Sequence, residues 1–240
     1  MRSVRRLAAV AAILGATAAH AESSYEFWPE LDAFLTLNSR ARVFLLATTT
    51  RIDQEGRRGL PLDPVTDGTL GAHLDLSLTP SLRKGLLEQD WERNRYLWMR
   101  IGYQRARSLG DADATSAFHE NRGVFELSGR TPKLGGGVAL YTRLRWDLRE
   151  RNDERSNLYR ARLGIERPFD LFDRTALPYT TAETIYDTRY SEWKQQRYQL
   201  GMELGLTESW RMEPYLEMRV DRRSEPARVY ALGLAFKYFR

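Results

Sequence analysis

The chain has 240 residues, with 37 Lys and Arg against 32 Asp and Glu, a formal net charge of +5 and no cysteine. Disulfide frameworks and thiolate metal sites are thereby excluded, and the two signs of charge are interleaved rather than blocked, which excludes a nucleic-acid surface. A mean hydropathy of −0.55 speaks against membrane helices but not against membrane strands, whose average conceals an apolar face because every second residue is polar.

At the N-terminus, Arg2, Arg5 and Arg6 precede an uncharged apolar run from Leu7 to Ala18, and Ala19-His20-Ala21 follows. A basic start, a short apolar centre and small residues at the cleavage positions make a secretory signal peptide over residues 1–21. The run is too short for a transmembrane helix, which needs about 20 residues. Removal of the leader lowers the formal charge from +5 to about +2 and leaves residues 22–240 as one domain.

The domain is built from segments that alternate apolar and polar residues. Leu70, Ala72, Leu74, Leu76 and Leu78 alternate with Gly71, His73, Asp75 and Ser77. Further on, Val138, Leu140, Thr142, Leu144, Trp146 and Leu148 alternate with Ala139, Tyr141, Arg143, Arg145, Asp147 and Arg149. Successive side chains of a strand point to opposite faces, so each segment is a strand with one oily and one polar face. Eleven such segments run over 27–37, 41–52, 68–78, 94–106, 121–131, 136–149, 157–167, 178–187, 194–206, 210–221 and 228–239. No segment of other character is available to cover the oily faces, which makes lipid the cover. The expected fold is all-β, an antiparallel up-and-down transmembrane β-barrel.

Short turns are expected near Asn38-Ser39-Arg40, Gly135-Gly136 and Thr207-Glu208-Ser209, and longer polar loops near 53–67, 107–120, 150–156, 188–193 and 222–227. The stretch from Thr79 to Arg93 reads as an overlong fourth strand preceded by a turn. Single-chain bacterial barrels have even strand numbers. The parity rule therefore points to 12 strands, with a short extra one around Glu22 to Trp28, or to 10 if one segment is false.

The last segment places Tyr230, Leu232, Leu234, Phe236 and Tyr238 on one face, close to the C-terminus. This is the pattern of a C-terminal assembly signal for the barrel-assembly machinery, although Arg240 stands where a terminal Phe is usual. Trp28, Trp91, Trp146, Trp193, Trp210, Tyr179 and Tyr190 fall near strand ends and are expected in the interfacial girdles.

The polar faces carry Arg143, Arg145, Asp147, Arg160, Arg162, Glu166, Glu183, Asp187, Arg197, Glu203, Glu213, Glu217 and Arg219. Rings of charge line ion paths, whereas long residues of opposite sign fill a narrow barrel by pairing. The mixture of signs favours the filled lumen. His73, Asp75 and Ser77 share the polar face of one strand and resemble a hydrolase triad in composition. Residues two apart on a strand are separated by about 6.5–7 Å, too far for most direct hydrogen bonds. With His73 and His119 the only histidines after the leader and no cysteine, no metal site is expected, and Gly135–Gly137 lacks the Lys-Ser or Lys-Thr of a phosphate loop.

The run Arg160-Ala161-Arg162-Leu163-Gly164-Ile165-Glu166-Arg167-Pro168-Phe169, then Pro178-Tyr179, Ala182-Glu183, Tyr186-Asp187, Trp193 and Arg197-Tyr198-Gln199-Leu200-Gly201, resembles the bacterial outer-membrane family catalogued as domain of unknown function 2490. Glu120-Asn121-Arg122 and the strand after it fit as well. The resemblance covers most of the chain after the leader, is strongest over 120–206, and implies a barrel without supplying an activity. The expectation is an outer-membrane barrel that is not an enzyme and needs no cofactor, with a structural role or a narrow passage for small polar solutes. Its expected partners are outer-membrane lipid and the assembly machinery, not nucleic acid. The alternatives are a lipid-modifying enzyme using His73 and Ser77, or a soluble periplasmic β-protein holding an apolar ligand.

Overall fold

The computed structural model describes residues 23–52, 65–79, 96–109, 117–132, 134–171, 174–223 and 227–240. The leader, Trp91 and all but the first residue of the 79–93 stretch lie outside the described residues. The alternating segments form strands β1 (Ser23–Asn38), β2 (Ala41–Ile52), β3 (Val65–Ser77), β4 (Leu97–Ser108), β5 (His119–Arg130), β6 (Ala139–Arg151), β7 (Glu154–Glu166), β8 (Phe169–Leu171), β9 (Arg174–Asp187), β10 (Glu192–Gly205), β11 (Trp210–Asp221) and β12 (Arg228–Phe239). They make one 12-stranded sheet that closes on itself.

The wall of the barrel has 11 strands. β8 continues β7 rather than adding a stave, since Glu166 faces Tyr179 and Phe169 faces Ala176 in one unbroken register on β9. The interruption falls where Arg167 faces Pro178, which has no N–H to return to the Arg167 carbonyl. Arg167 itself still donates to the carbonyl of Pro178, at 3.2 Å.

An even, wholly antiparallel wall is therefore corrected. Residues 23–28 lengthen β1 to 16 residues instead of forming a separate strand. The wall closes through a parallel pair, from Ser23 opposite Arg228 to Phe34 opposite Phe239. A parallel ladder also satisfies the backbone groups, which is what lipid demands. With an odd wall, Ser23 and Arg240 lie at opposite rims, called here the N-terminal and C-terminal rims.

One connection is tighter than expected. The 150–156 stretch holds a hairpin turn of Asn152 and Asp153, with φ of 49° and 65°. Asn and Asp tolerate this left-handed region better than other side-chain-bearing residues, and two positive φ values suit a two-residue hairpin. At the C-terminal rim a short 3-10 turn at Gly135–Gly137 precedes β6, which starts at Ala139.

The strand alternation sorts the side chains by face. Leu70, Leu163, Leu216 and Leu144 stand outward, 68%, 69%, 59% and 54% exposed, as lipid-facing positions do. Phe125, Trp146, Tyr159, Tyr186 and Trp193 form an outward row across five adjacent strands, with ring centroids 5.5, 6.3, 6.4 and 5.5 Å apart. Trp210 and Tyr238 pair outward near the C-terminal rim, at 5.0 Å. Trp28 and Tyr179 do not join the girdles. Trp28 lies on the inward face of β1, where its indole donates to Glu26 at 2.7 Å, and Tyr179 donates inward to Glu213. Among the described residues no helix is long and apolar enough to cross a membrane.

Tyr141, Tyr179 and Tyr215 each sit opposite a glycine of the next strand, Gly164, Gly201 and Gly233. A Cβ at Gly233 would meet the Tyr215 ring at 1.9 Å, and one at Gly164 would meet Tyr141 at 2.3 Å. Only glycine allows each ring to lie flat across its neighbour, and this close approach packs the inner wall.

Candidate functional site: a charged lumen

The inward faces hold the charge. Direct pairing across β2 to β6 sets Arg42 opposite Asp75, Asp75 opposite Arg100, Arg100 opposite Glu126, and Glu126 opposite Arg145, while the like-charged Arg145 and Arg160 that face one another on β6 and β7 share Asp147. Opposite charges facing one another across strands stabilise a sheet, and here they also neutralise groups removed from water. Asp75 is fully buried. It accepts from Arg42 Nε at 2.8 Å and from Arg100 Nε and Nη2 at 2.6 and 2.9 Å.

Two further carboxylates act as hubs. Asp147, fully buried, accepts from Arg145 Nε at 2.6 Å and lies 3.0 Å from Arg160 Nη2. Glu183, 3% exposed, accepts from Arg143 Nη2 and Arg162 Nε, both at 2.7 Å, with Arg160 Nη1 at 3.8 Å. Toward the N-terminal rim, Arg149 donates to Asp187 at 2.9 Å and Arg219 to Glu26 at 3.0 Å. Toward the C-terminal rim, Lys237 bridges Glu203, at 2.9 Å, and Glu213, while Arg211 donates to Glu203. Arg130 pairs with Glu166, and Arg197 Nε lies 3.8 Å from Glu217.

An aromatic stack runs along the same inner surface. Phe239, Phe34, Phe44 and His73 occupy successive strands, with centroids 4.9, 4.8 and 5.2 Å apart. Arg42 lies over Phe34 at 4.3 Å and Arg100 over Phe44 at 4.2 Å, so the guanidinium planes rest on ring faces. Between these groups remains a cavity of about 460 Å³, bounded by charged residues of β1 and β4–β7, by Tyr141, Tyr179 and Tyr215, and by the β10–β12 wall.

The lumen residues singled out in the sequence lie in several ion-paired clusters, the largest around Asp147 and Glu183 and others at Glu166, Asp187, Glu203 with Glu213, Glu217 and Arg219. The inward charge also includes Glu26, Glu30, Asp32, Arg42, Asp75, Arg100, Glu126 and Lys237, which the sequence analysis did not assign to it. For Glu30, Asp32, Asp75, Arg100 and Glu126 the signal was present, since each falls on the polar side of an alternating segment, whereas Glu26 precedes the first segment and Arg42 and Lys237 share their faces with apolar residues. What the alternation does not supply is the cross-strand register that makes them partners.

The triad-like set is dispersed by its neighbours. Asp75 is held by two arginines, Ser77 donates to the carbonyl of Thr79 at 2.5 Å, and His73 stacks on Phe44 with Nε2 3.3 Å from Gln104. Among the described residues no group of three or more His, Asp or Glu is placed to hold a metal ion. Tyr230, Leu232, Leu234, Phe236 and Tyr238 lie along the outer face of β12, and Tyr238 is in register with Trp210.

No family model matches the chain, and no curated protein matches it. Solved structures do. LpxR from Salmonella typhimurium superposes with a TM-score of 0.47 at 9% identity, covering 82% of this chain and 83% of that one. The beta domain of the Bordetella autotransporter BrkA gives a TM-score of 0.43 at 15% identity, over 85% and 84%. The siderophore receptor PirA from Pseudomonas aeruginosa gives 0.29 at 14% identity, over 84% of this chain and 36% of that receptor. These likenesses concern shape alone. The expectation that the protein is not an enzyme is corrected: a barrel architecture gives no ground for it, because one fold hosts many functions. The chain has the fold of an outer-membrane β-barrel.

Proposed function

We propose that the protein resides in the outer membrane, in contact with its lipid, and forms a barrel whose lumen is closed to bulk flow by its own paired charges. The role that fits is structural, or a narrow passage for small polar solutes that disturbs few of those pairs. The observation carrying this reading is the cross-strand series of alternating charge from Arg42 to Arg145, backed by the Asp147 and Glu183 hubs. A water-filled channel leaves its wall charges solvated, where each pair contributes only about 0–1 kcal/mol. Here the carboxylates are buried and each is held by several arginines, the arrangement of a packed interior.

Liposome swelling tests this. Vesicles carrying the purified protein, identified as folded by faster migration of the unheated sample on a gel, should swell in sugars no faster than protein-free vesicles. Swelling rates that fall smoothly with solute size would mark an open diffusion pore and refute the closed lumen. Release of the native protein from membranes by carbonate would refute the location.

A further inference from the structure

β1 and β6 stand across the barrel from one another, with four strands between them in one direction around the 11-strand wall and five in the other. Their inner faces differ in sign. β1 presents Glu26, Glu30 and Asp32 and no basic residue, whereas β6 presents Arg143, Arg145 and Arg149 around the neutralised Asp147.

Register brings the two into level. From Arg143, one row of paired residues runs through Arg162, Glu183, Arg197, Arg219 and Val229 to Ser24, at the start of β1. The other runs through Ser128, Trp98 and Ser77 to the Asn38–Arg40 turn at its end. Strands tilt in a barrel, so the two rows arrive on either side of the level point. That point is the middle of β1, at Glu30 and Asp32.

Both walls also hold a buried polar atom that lacks a hydrogen-bond partner. Asp32, 4% exposed, leaves Oδ1 without a donor, although Lys237 stands beside it in register, because the ammonium group of Lys237 is engaged with Glu203 and Glu213. Arg143 Nε makes no hydrogen bond either, lying 3.8 Å from Glu126. Glu30 and Asp32 on one side and Arg143 and Arg162 on the other line a single cavity of about 460 Å³, within the size range of small-molecule sites. Buried polar groups are normally satisfied, so such exceptions need an explanation.

We infer that this cavity binds a small zwitterion, with its ammonium group at Glu30 and Asp32 and its carboxylate at Arg143 and Arg162. The inference rests on the closed-lumen reading above, since an open, wet pore would solvate both walls. A cation alone gains from the β1 side but leaves the arginine side unsatisfied, and an anion does the reverse. A molecule carrying both charges satisfies both.

The test is calorimetric titration of the folded protein in detergent with 4-aminobutyrate and 6-aminohexanoate, and with butylamine and butyrate as single-charge controls. At least one of the two amino acids should bind ten or more times more tightly than either control. Asp32→Asn should reduce that preference to the level of butyrate while leaving butyrate binding unchanged. Arg143→Gln should reduce it to the level of butylamine, with gel mobility of the unheated sample showing that each variant folds. Equal binding of the amino acids and butylamine would make the site a cation site, equal binding with butyrate an anion site, and binding of none an empty packing defect. Each of these results overturns the proposal. Swelling at the rate of protein-free vesicles alongside any of them would leave the closed lumen standing, so the two claims fail separately.

Discussion

Replacing Glu183 with Gln keeps its volume and one acceptor oxygen but removes its charge. The structure shows what is then left exposed. Arg143 retains Glu126 at 3.8 Å and Arg160 retains Asp147 at 3.0 Å, whereas the ion pair of Arg162 is with Glu183. One buried guanidinium therefore loses its counter-charge. Breaking a buried pair from one side costs about 3–5 kcal/mol, and because the Arg162 side chain keeps 17% exposure toward the cavity, the lower end, about 3 kcal/mol, applies. Urea unfolding from phospholipid vesicles, followed by tryptophan fluorescence, measures the loss. Glu150→Gln is the control, since the Arg155–Glu150 pair is 87% and 36% exposed and should contribute about 0–1 kcal/mol. Combining Glu183→Leu with Arg162→Leu should recover stability relative to either change alone, because no lone charge remains. If Glu183→Gln proves no more destabilising than Glu150→Gln, the hub is solvated and the packed-lumen argument is wrong.

Three other perturbations follow from the wall. Leu163→Arg puts a charge on a position 69% exposed to the exterior and should cost about 2–4 kcal/mol near mid-membrane, lowering the yield of heat-modifiable barrel; undiminished folding yield would contradict the assigned face. Gly233→Ala forces the Tyr215 ring off its neighbour and should cost about 1–3 kcal/mol as overpacking, whereas Gly135→Ala, with nothing within 4 Å of its added carbon, should be nearly neutral in the same urea titration. Pro178→Thr supplies the N–H missing opposite the Arg167 carbonyl at the interruption in the β7–β8 register and should slow amide exchange at residues 167–169; faster exchange there would mean that β8 is a separate element.

Most of the wall was legible because lipid and lumen impose opposite demands on alternate residues. The eleven alternating segments coincide with the eleven staves, and the largest differences at their ends are physical. Residues 23–26 extend β1 without a clean apolar rhythm, because Ser23 and Ser24 carry no hydrophobic signal. The strand count went astray on parity, a rule about known barrels rather than about hydrogen bonds, and parallel closure between β1 and β12 satisfies the ladder equally well. Asn152-Asp153 is itself a two-residue hairpin signal, and the charged residues around it made the stretch look like a loop. Trp28 shares its face with Glu26 and Glu30, so its inward position follows from strand alternation even though its place near a strand end suggests a girdle. The charge network was less legible. That Arg42 meets Asp75, or that Arg143 and Arg162 meet on Glu183, depends on register between segments distant in sequence, which periodicity within one segment does not encode.

The central claim is that the inward charges pair with each other rather than with water. Steady-state conductance of the unmodified protein in planar bilayers tests it most directly. The paired lumen should give no sustained single-channel steps in 1 M salt, a condition that screens exposed charges but leaves buried pairs largely intact. Reproducible open steps with a linear current–voltage relation would show a continuous aqueous path past Asp75, Asp147 and Glu183 and would contradict the account.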